Sequence, residues 1–206
     1  MLPGSDGNVD KETLRRVQAV AEEYLLNGLL NEAMEVMKET VHPNGMRHVV
    51  RCLLNFFVEK KIEELEKLFP YIPSMCSLRI LDKKSFHEGL VDFLDGYDDL
   101  TVDIPYVGKS TALLLSHMLL NDDAADVFDL TVFTSIPAGN LFAESSRFVD
   151  LVARILEQIA IKRGLPHAEN IYRGVPDLES ILRNKLMSSE EIEGIAKKYN
   201  IPFLAV

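Results

Sequence analysis

The sequence predicts an all-α protein, and three observations support that prediction. Apolar residues recur with the 3.6-residue period of an α-helix along most of the chain, whereas strict alternation of apolar and polar residues is almost absent. Good N-cap residues precede several of these segments, and glycine or proline ends them. The connections between segments are short, which favours antiparallel helix hairpins. We therefore expect a HEAT-like stack of antiparallel helix hairpins.

The first part of the chain contains six predicted helices. Asp10 is the expected N-cap of the first helix, and Gly28 is expected to end it in the left-handed conformation. The predicted helices cover residues 11–27, 31–40, 46–60, 61–81 (interrupted at Pro70 and Pro73), 83–97 and 105–121. A bend over residues 98–104 connects the last two, with Asp103 as the expected N-cap of the sixth helix.

The second part of the chain has shorter helices around one long one. The predicted helices cover residues 124–133, 145–163, 168–173, 177–185 and 188–199. Ser188 and Glu191 have the spacing of a capping box, and the apolar tail 201–206 is expected to dock on the body. We predict a first domain over residues 11–121 and a C-terminal helical extension over residues 122–206 packed on the same solenoid.

The charge balance excludes several kinds of partner. The chain has 22 basic and 32 acidic residues and a net charge of -10. This argues against direct strong binding of nucleic acid, which needs cations to displace phosphate counterions, and against an anionic membrane surface. No apolar run is long enough to span a bilayer, and residues 1–7 lack the apolar region of a secretory signal. Cys52 and Cys76 are expected to be reduced, buried thiols in an intracellular protein.

One motif resembles a nucleotide-binding loop, but its residues argue against that role. Val107-Gly108-Lys109-Ser110-Thr111 matches the end of a phosphate-binding loop, yet Asp103 stands where the first glycine is required. Pro105 also removes a backbone N–H. We expect a helix start with an exposed Lys109, and a nucleotide-binding module or enzyme remains the weaker alternative.

The sequence predicts no catalytic residue, no metal site and no cofactor. The five histidines lack the spacing of a zinc-binding helix. No serine lies in a nucleophile elbow, and neither cysteine has a recognisable nucleophile motif. We therefore expect a non-enzymatic protein.

The acidity of the chain is concentrated in one region. Residues 88–129 contain ten acidic residues and one basic residue, Lys109. Helix capping accounts for Asp103, but Asp95 and Asp98 are unfavourable at the end of the fifth predicted helix because the helix dipole opposes them there. Such a local conflict is typical of a binding site, although an ordinary solvated face is equally compatible with the pattern.

Several segments resemble the MA3 domain family in order and spacing. They are Glu23-Tyr24-Leu25-Leu26-Asn27-Gly28 with Asn31-Glu32-Ala33, Ser85-Phe86-His87-Glu88-Gly89-Leu90, and Leu100-Thr101-Val102-Asp103-Ile104-Pro105. The resemblance covers residues 11–121.

The second part of the chain resembles the extension that follows the MA3 domain in the initiation factor 4 gamma family, including its shorter, death-associated member. The similar segments are Val127-Phe128-Asp129-Leu130, the long helix 145–163, and Glu191-Ile192-Glu193-Gly194-Ile195 before Pro202-Phe203-Leu204. Programmed cell death protein four also has MA3 domains but lacks this extension.

The resemblance implies a function and a site. It implies a cytoplasmic, non-enzymatic interaction domain of a translation initiation scaffold, whose partner is the DEAD-box RNA helicase initiation factor 4 alpha. Two aspartates of the family's bend contact the helicase, and they match Asp99 and Asp103 here. Asp98 and Asp95 join this candidate site by charge alone. An MA3-type inhibitor that blocks the helicase, or a generic helical adaptor for another partner, are the alternatives.

Overall fold

The computed structural model describes residues 9–137, 139–185 and 188–205. Across these residues it contains α-helices and short 3-10 helices and no β-strand, which confirms the all-α prediction. The polar segment 1–7 and the last residue of the predicted tail, Val206, lie outside the described residues.

The first eight α-helices lie between residues 11 and 119. Their bounds are α1 Lys11–Asn27, α2 Leu30–Thr40, α3 Met46–Val58, α4 Ile62–Leu68, α5 Tyr71–Ser77, α6 Lys83–Asp95, α7 Tyr97–Asp103 and α8 Val107–Leu119. The later helices are α9 Leu141–Glu144, α10 Ser146–Arg163, α11 Leu165–Arg173, α12 Leu178–Lys185 and α13 Ser189–Lys198. Short 3-10 helices cover Pro43–Gly45, Asp122–Ala124, Leu130–Thr134 and Pro202–Ala205.

The chain divides into two compact units, the first ending at Phe93 and the second beginning at Leu94. In the first unit, α1 packs against α2, α3 and α4, and α2 also contacts α5. Its core contains a chain of aromatic rings in which Tyr71 contacts Tyr24 at 5.5 Å and Phe57 at 5.7 Å between centroids. The Tyr24 hydroxyl donates a hydrogen bond to the Lys67 carbonyl oxygen at 2.9 Å. The predicted boundary between residues 121 and 122 stays a prediction.

In the second unit, the long helix α10 is the central element. It packs against α8, α9, α11, α12 and α13. Phe148 of α10 contacts Phe142 of α9 and Phe133 of the 3-10 helix Leu130–Thr134, with ring centroids 5.7 and 5.9 Å apart. All three rings are almost fully buried, so they fix this part of the fold through apolar burial and edge contacts.

Local sequence signals predicted several of the helix ends. Asp10 caps α1 by accepting a hydrogen bond from the Thr13 N–H at 2.7 Å, and Gly28 ends α1 with a φ of 72°. Ser188 and Glu191 form the predicted capping box of α13. In the tail, Ile201, Phe203 and Leu204 are buried, which confirms the predicted docking for the described residues.

The predicted bend over residues 98–104 is wrong, because this segment forms the helix α7. Asp98 and Asp99 lie in its first turn, where the helix dipole favours acids, so Asp98 is not at the unfavourable end of the preceding helix. Asp103 is the last residue of α7 and not an N-cap. The next helix begins at Val107, two residues later than predicted, with Tyr106 at its N-cap position.

The helix predicted over residues 124–133 is also wrong. The Asp129 carboxylate accepts a hydrogen bond from the Thr131 N–H at 2.8 Å, which caps a 3-10 helix and competes with a continuous α-helix. The helix predicted over residues 61–81 is divided into α4 and α5, as the prolines indicated, with Pro70 at the N-cap position of α5.

The prediction of buried thiols is confirmed for Cys76, whereas Cys52 is only half-buried, and both are free thiols. The Val107–Thr111 segment begins α8, with Lys109 exposed, as predicted.

None of the helices in the described part of the chain has the length and hydropathy required to cross a bilayer.

Candidate partner-binding site

Helix α7 carries the predicted site residues and is anchored at its first residue. Tyr97 is only 2% exposed, and its ring contacts Phe142 edge to face, with centroids 5.2 Å apart. Burial raises the pKa of the Tyr97 hydroxyl, so the side chain stays neutral in the core. The beginning of α7 is therefore fixed by the apolar core of the second unit.

The second anchor of α7 is an ion pair with α10. The Arg147 guanidinium donates a hydrogen bond to the Asp98 carbonyl oxygen at 3.0 Å, and its Nη1 atom is 3.3 Å from Asp98 Oδ1. The two side chains are 40% and 44% exposed. Asp98 is thus held by the fold, and its carboxylate is already engaged.

Asp99 and Asp103 are placed differently. Both are exposed, and their spacing of four residues puts them on one face of α7, where Cβ atoms are about 5–6 Å apart. No arginine or lysine of the described residues pairs with either carboxylate. The structure therefore brings the two main predicted site residues together, with both charges directed to solvent.

Apolar groups adjoin these two carboxylates. Val102 lies three residues after Asp99, on the same side of α7, and is 77% exposed. Tyr106 follows in the turn before α8 and is 40% exposed. We call Asp99, Val102, Asp103 and Tyr106 the α7 surface. Exposed apolar groups rimmed by charges are typical of protein-binding surfaces, in which tyrosine is enriched.

Asp95, the remaining predicted site residue, is exposed at the last position of α6. It precedes Gly96, the N-cap residue of α7, and therefore lies close to this helix in the chain. The structure assigns it no described ion pair. Asp95 thus adds negative charge beside α7 without being a member of its exposed face.

Some of the other acids of residues 88–129 have structural partners. Asp92 accepts two hydrogen bonds from the Arg47 guanidinium, at 2.8 and 2.9 Å, and these bonds raise the pKa of Arg47. Asp129 caps a 3-10 helix, as described above. Asp122, Asp123 and Asp126 are exposed. The acidic region therefore separates into residues that stabilise the fold and residues that present charge to solvent.

Sequence reasoning missed Val102, Tyr106 and Arg147. Two apolar residues within an acidic segment were a visible signal for the first two. Nothing in the sequence connects Arg147 with Asp98, because 49 residues separate them.

The geometry gives no support to the alternative chemistries. In α8, Ser110 and Thr111 are at most 1% exposed, so their hydroxyls are not presented to a phosphate. Burial lowers the pKa of the His117 imidazole in α8, and the nearby Lys162 charge adds to the effect. Within the described ranges, no three His, Cys, Asp or Glu residues are grouped so that they could hold a metal ion.

Comparison with known proteins gives a consistent result. The model of the MA3 domain family matches residues 14–123. Over 136 residues the chain is 24% identical to eukaryotic translation initiation factor 4 gamma 1 of Mus musculus, covering 66% of this chain and 8% of that protein. The same factor of Oryctolagus cuniculus is 22% identical over 138 residues, covering 67% and 9%. The chain thus spans less than a tenth of the length of these relatives.

Proposed function

Because the chain belongs to the MA3 domain family, a family of helical HEAT-like domains, we propose that it is a non-enzymatic interaction domain that binds a DEAD-box RNA helicase. The partner we propose is initiation factor 4 alpha, and the contact is the α7 surface. The similarity to translation initiation factor 4 gamma 1 supports a role in translation and, with it, a cytoplasmic location.

The observation that carries this proposal is the placement of Asp99 and Asp103. Two exposed carboxylates on one helix face, without a described cationic partner, are available to basic side chains of another protein. Val102 between them supplies an apolar contact that can be buried when the partner binds. The resemblance to MA3 domains indicates the same two positions independently of this geometry.

Asp98 and Asp95 have lesser roles in this proposal. The Asp98 carboxylate pairs with Arg147, so Asp98 fixes the orientation of α7 and contributes little direct contact. Asp95 strengthens the negative potential that attracts a basic partner.

The experiment is a charge reversal with a matched control. The variant Asp99→Lys with Asp103→Lys is expected to weaken binding of the purified helicase by about 30-fold or more, because paired charges become repulsive. The control, Asp122→Lys with Asp126→Lys, makes the same charge change at exposed acids outside α7. Isothermal titration measures both, and thermal unfolding checks that the variants fold.

Each outcome bears on a separate part of the proposal. Absence of helicase binding by the unmodified chain would refute the proposal that the helicase is the partner. Binding retained by the Asp99 and Asp103 variant would refute the proposal that the α7 surface is the contact. The effect of the domain on the helicase ATPase rate distinguishes a stimulating scaffold from an inhibitor that uses the same surface.

A further inference from the structure

The hairpin of α1 and α2 in the first unit carries a shallow groove with a volume of about 60 Å³. Residues at helical spacing line it from both sides. They are Val20, Glu23, Tyr24 and Asn27 of α1, Glu32, Ala33 and Val36 of α2, and Leu29 at the N-cap position of α2. We call it the α1–α2 groove. It is smaller than the pockets of about 300–1,000 Å³ that hold small-molecule ligands, so it suits the end of one protein side chain.

The floor of the groove is apolar and is fixed by the core of the first unit. Val20, Tyr24 and Ala33 are only 6–8% exposed. The Tyr24 hydroxyl donates to the Lys67 carbonyl oxygen at 2.9 Å, and the Tyr24 ring contacts the ring of Tyr71. A floor that is already ordered lowers the entropic cost of binding, because it does not have to be arranged when a ligand docks.

Exposed leucines lie at the end of the groove, in the turn between the two helices. Leu29 is 47% exposed and forms part of the wall. Its N–H donates to Asn27 Oδ1 at 2.8 Å, so the turn has a defined conformation. Leu26 is 88% exposed and lies on α1 three residues after Glu23, on the same side of the helix. A single exposed leucine is ordinary, but these two extend the apolar surface beyond the groove.

The charged residues that line the groove are both acidic. Glu23 and Glu32 are exposed, and neither forms an ion pair with another described residue. Residues 17–37 contain four acidic residues and no lysine or arginine. Lys38, the next cation along the chain, pairs with Glu35 at 3.1 Å. The two lining glutamates therefore give the groove a negative potential, which favours a basic ligand.

We propose that the α1–α2 groove docks a basic segment of another protein. A large aliphatic side chain of that segment contacts Leu29 and Ala33, and the lysine or arginine residues beside it pair with Glu23 and Glu32. Nucleic acid and an anionic membrane surface fit poorly, because the two carboxylates repel phosphate. The proposal does not depend on helicase binding, since it involves none of the residues of the α7 surface.

The test is a selection from a random peptide library displayed on phage, using the full chain as bait. We expect enriched peptides that combine lysine or arginine with a large aliphatic residue. The variant Glu23→Gln with Glu32→Gln, and separately Leu29→Ser, should bind a synthetic copy of such a peptide about tenfold or more weakly. Glutamine retains helix propensity, and serine is a favourable N-cap residue, so both variants should fold.

Two controls separate the groove from the other acidic surfaces. Glu22→Gln with Glu39→Gln removes two exposed acids from the same helices outside the lining, and this variant should bind the peptide as the unmodified chain does. The Asp99→Lys, Asp103→Lys variant should also retain peptide binding, because the α7 surface is not the contact. Thermal unfolding checks that every variant folds.

Three results would overturn the proposal. The first is the absence of enriched peptides that contain basic and aliphatic residues. The second is binding that the groove variants retain, or that only the Asp99→Lys, Asp103→Lys variant loses. The third is self-association of the unmodified chain in sedimentation velocity that Leu29→Ser abolishes, because a second copy of the chain would then cover the groove.

Discussion

Arg147 of α10 holds the backbone of α7 through Asp98: its guanidinium donates to the Asp98 carbonyl oxygen at 3.0 Å while Nη1 lies 3.3 Å from Asp98 Oδ1. The contact involves the first turn of α7, whereas Asp99 and Asp103 on the exposed face remain available. One arginine therefore orients the helix that presents both candidate contact residues. Its removal should affect partner binding without changing any contact residue.

We predict that Arg147→Gln weakens helicase binding by about 3- to 10-fold, because α7 samples more orientations when its contact with Arg147 is lost. The free energy of unfolding should fall by only about 0.5–1.5 kcal/mol, since the pair is half exposed and screened by solvent. Titration with the helicase and urea denaturation measure the two effects. Arg173→Gln is the matched control, because Arg173 pairs with Glu169 at 2.8 Å in α11. Equal binding by the two variants would contradict a positioning role for Arg147.

Helix ends that depend on local hydrogen bonds were predictable from the sequence, and those that depend on distant contacts were not. Asp10 and Ser188 cap their helices through N–H groups three residues away, so the signal lies within one turn. The sequence predicts a bend in place of helix α7, because the contacts that anchor this helix, Tyr97 with Phe142 and Asp98 with Arg147, join residues that are distant in sequence. A local pattern does not contain that information.

The candidate site also combines residues that the sequence indicates with a contact that it does not. The resemblance and the charge pattern indicate Asp99 and Asp103 as candidate contact residues, and the structure adds that they share an exposed helix face. The engagement of Asp98 could not be foreseen, because nothing in its own segment indicates a pairing arginine.

Gly89 in α6 should be intolerant of a side chain. A Cβ atom at this position would lie 2.5 Å from Val50 Cβ and 2.6 Å from the Arg47 carbonyl oxygen, so the backbone of α3 would have to move. Gly89→Ala is therefore expected to lower the free energy of unfolding by about 1–3 kcal/mol, despite the better helix propensity of alanine. Urea denaturation gives the value.

Gly194 in α13 is the matched control for this substitution. It also lies within a helix, but a Cβ atom there would meet nothing within 4 Å. Gly194→Ala should therefore stabilise the chain by about 0.5–1 kcal/mol through helix propensity and the unfolded chain. If both substitutions shift stability in the same direction, the close approach of α6 and α3 does not control the cost at Gly89.

Helicase binding should depend on salt through the α7 surface. Raising NaCl shortens the screening length from about 10 Å at 0.1 M to about 3 Å at 1 M, so attraction between the exposed aspartates and a basic partner weakens. The association rate of the unmodified chain should fall steeply with salt, and stopped-flow fluorescence measures it. The isosteric variant Asp99→Asn with Asp103→Asn should show a much shallower dependence. An identical salt dependence would assign the electrostatic attraction to other acids of the chain.

Asp150 should make the stability of the second unit depend on pH. Burial raises the pKa of this carboxyl, but hydrogen bonds from Lys198, Tyr199 and Arg154, with the nearby Arg154 charge, together hold it below its ordinary value. The Lys198 and Arg154 donors are 2.8 and 2.7 Å from the carboxylate oxygens. Because the pKa is lower in the folded chain, the ionised group stabilises the fold above the unfolded pKa of about 3.9, and this contribution is lost as pH falls through the folded value.

We therefore predict that Asp150→Asn lowers the free energy of unfolding at pH 7 by about 1–2 kcal/mol, a range reduced for solvent screening of this half-buried group. As the pH falls below about 4, the unfolded form of the unmodified chain binds a proton at this carboxyl before the folded form does, so the difference between the two proteins should narrow. Urea denaturation at pH 7, 5 and about 3.5 follows the difference directly. Asp126→Asn, at an exposed acid, controls for the general loss of one negative charge. A difference that stays constant over this range would show that the asparagine costs packing or hydrogen bonds, and that the charge of Asp150 does not link α10 to α13.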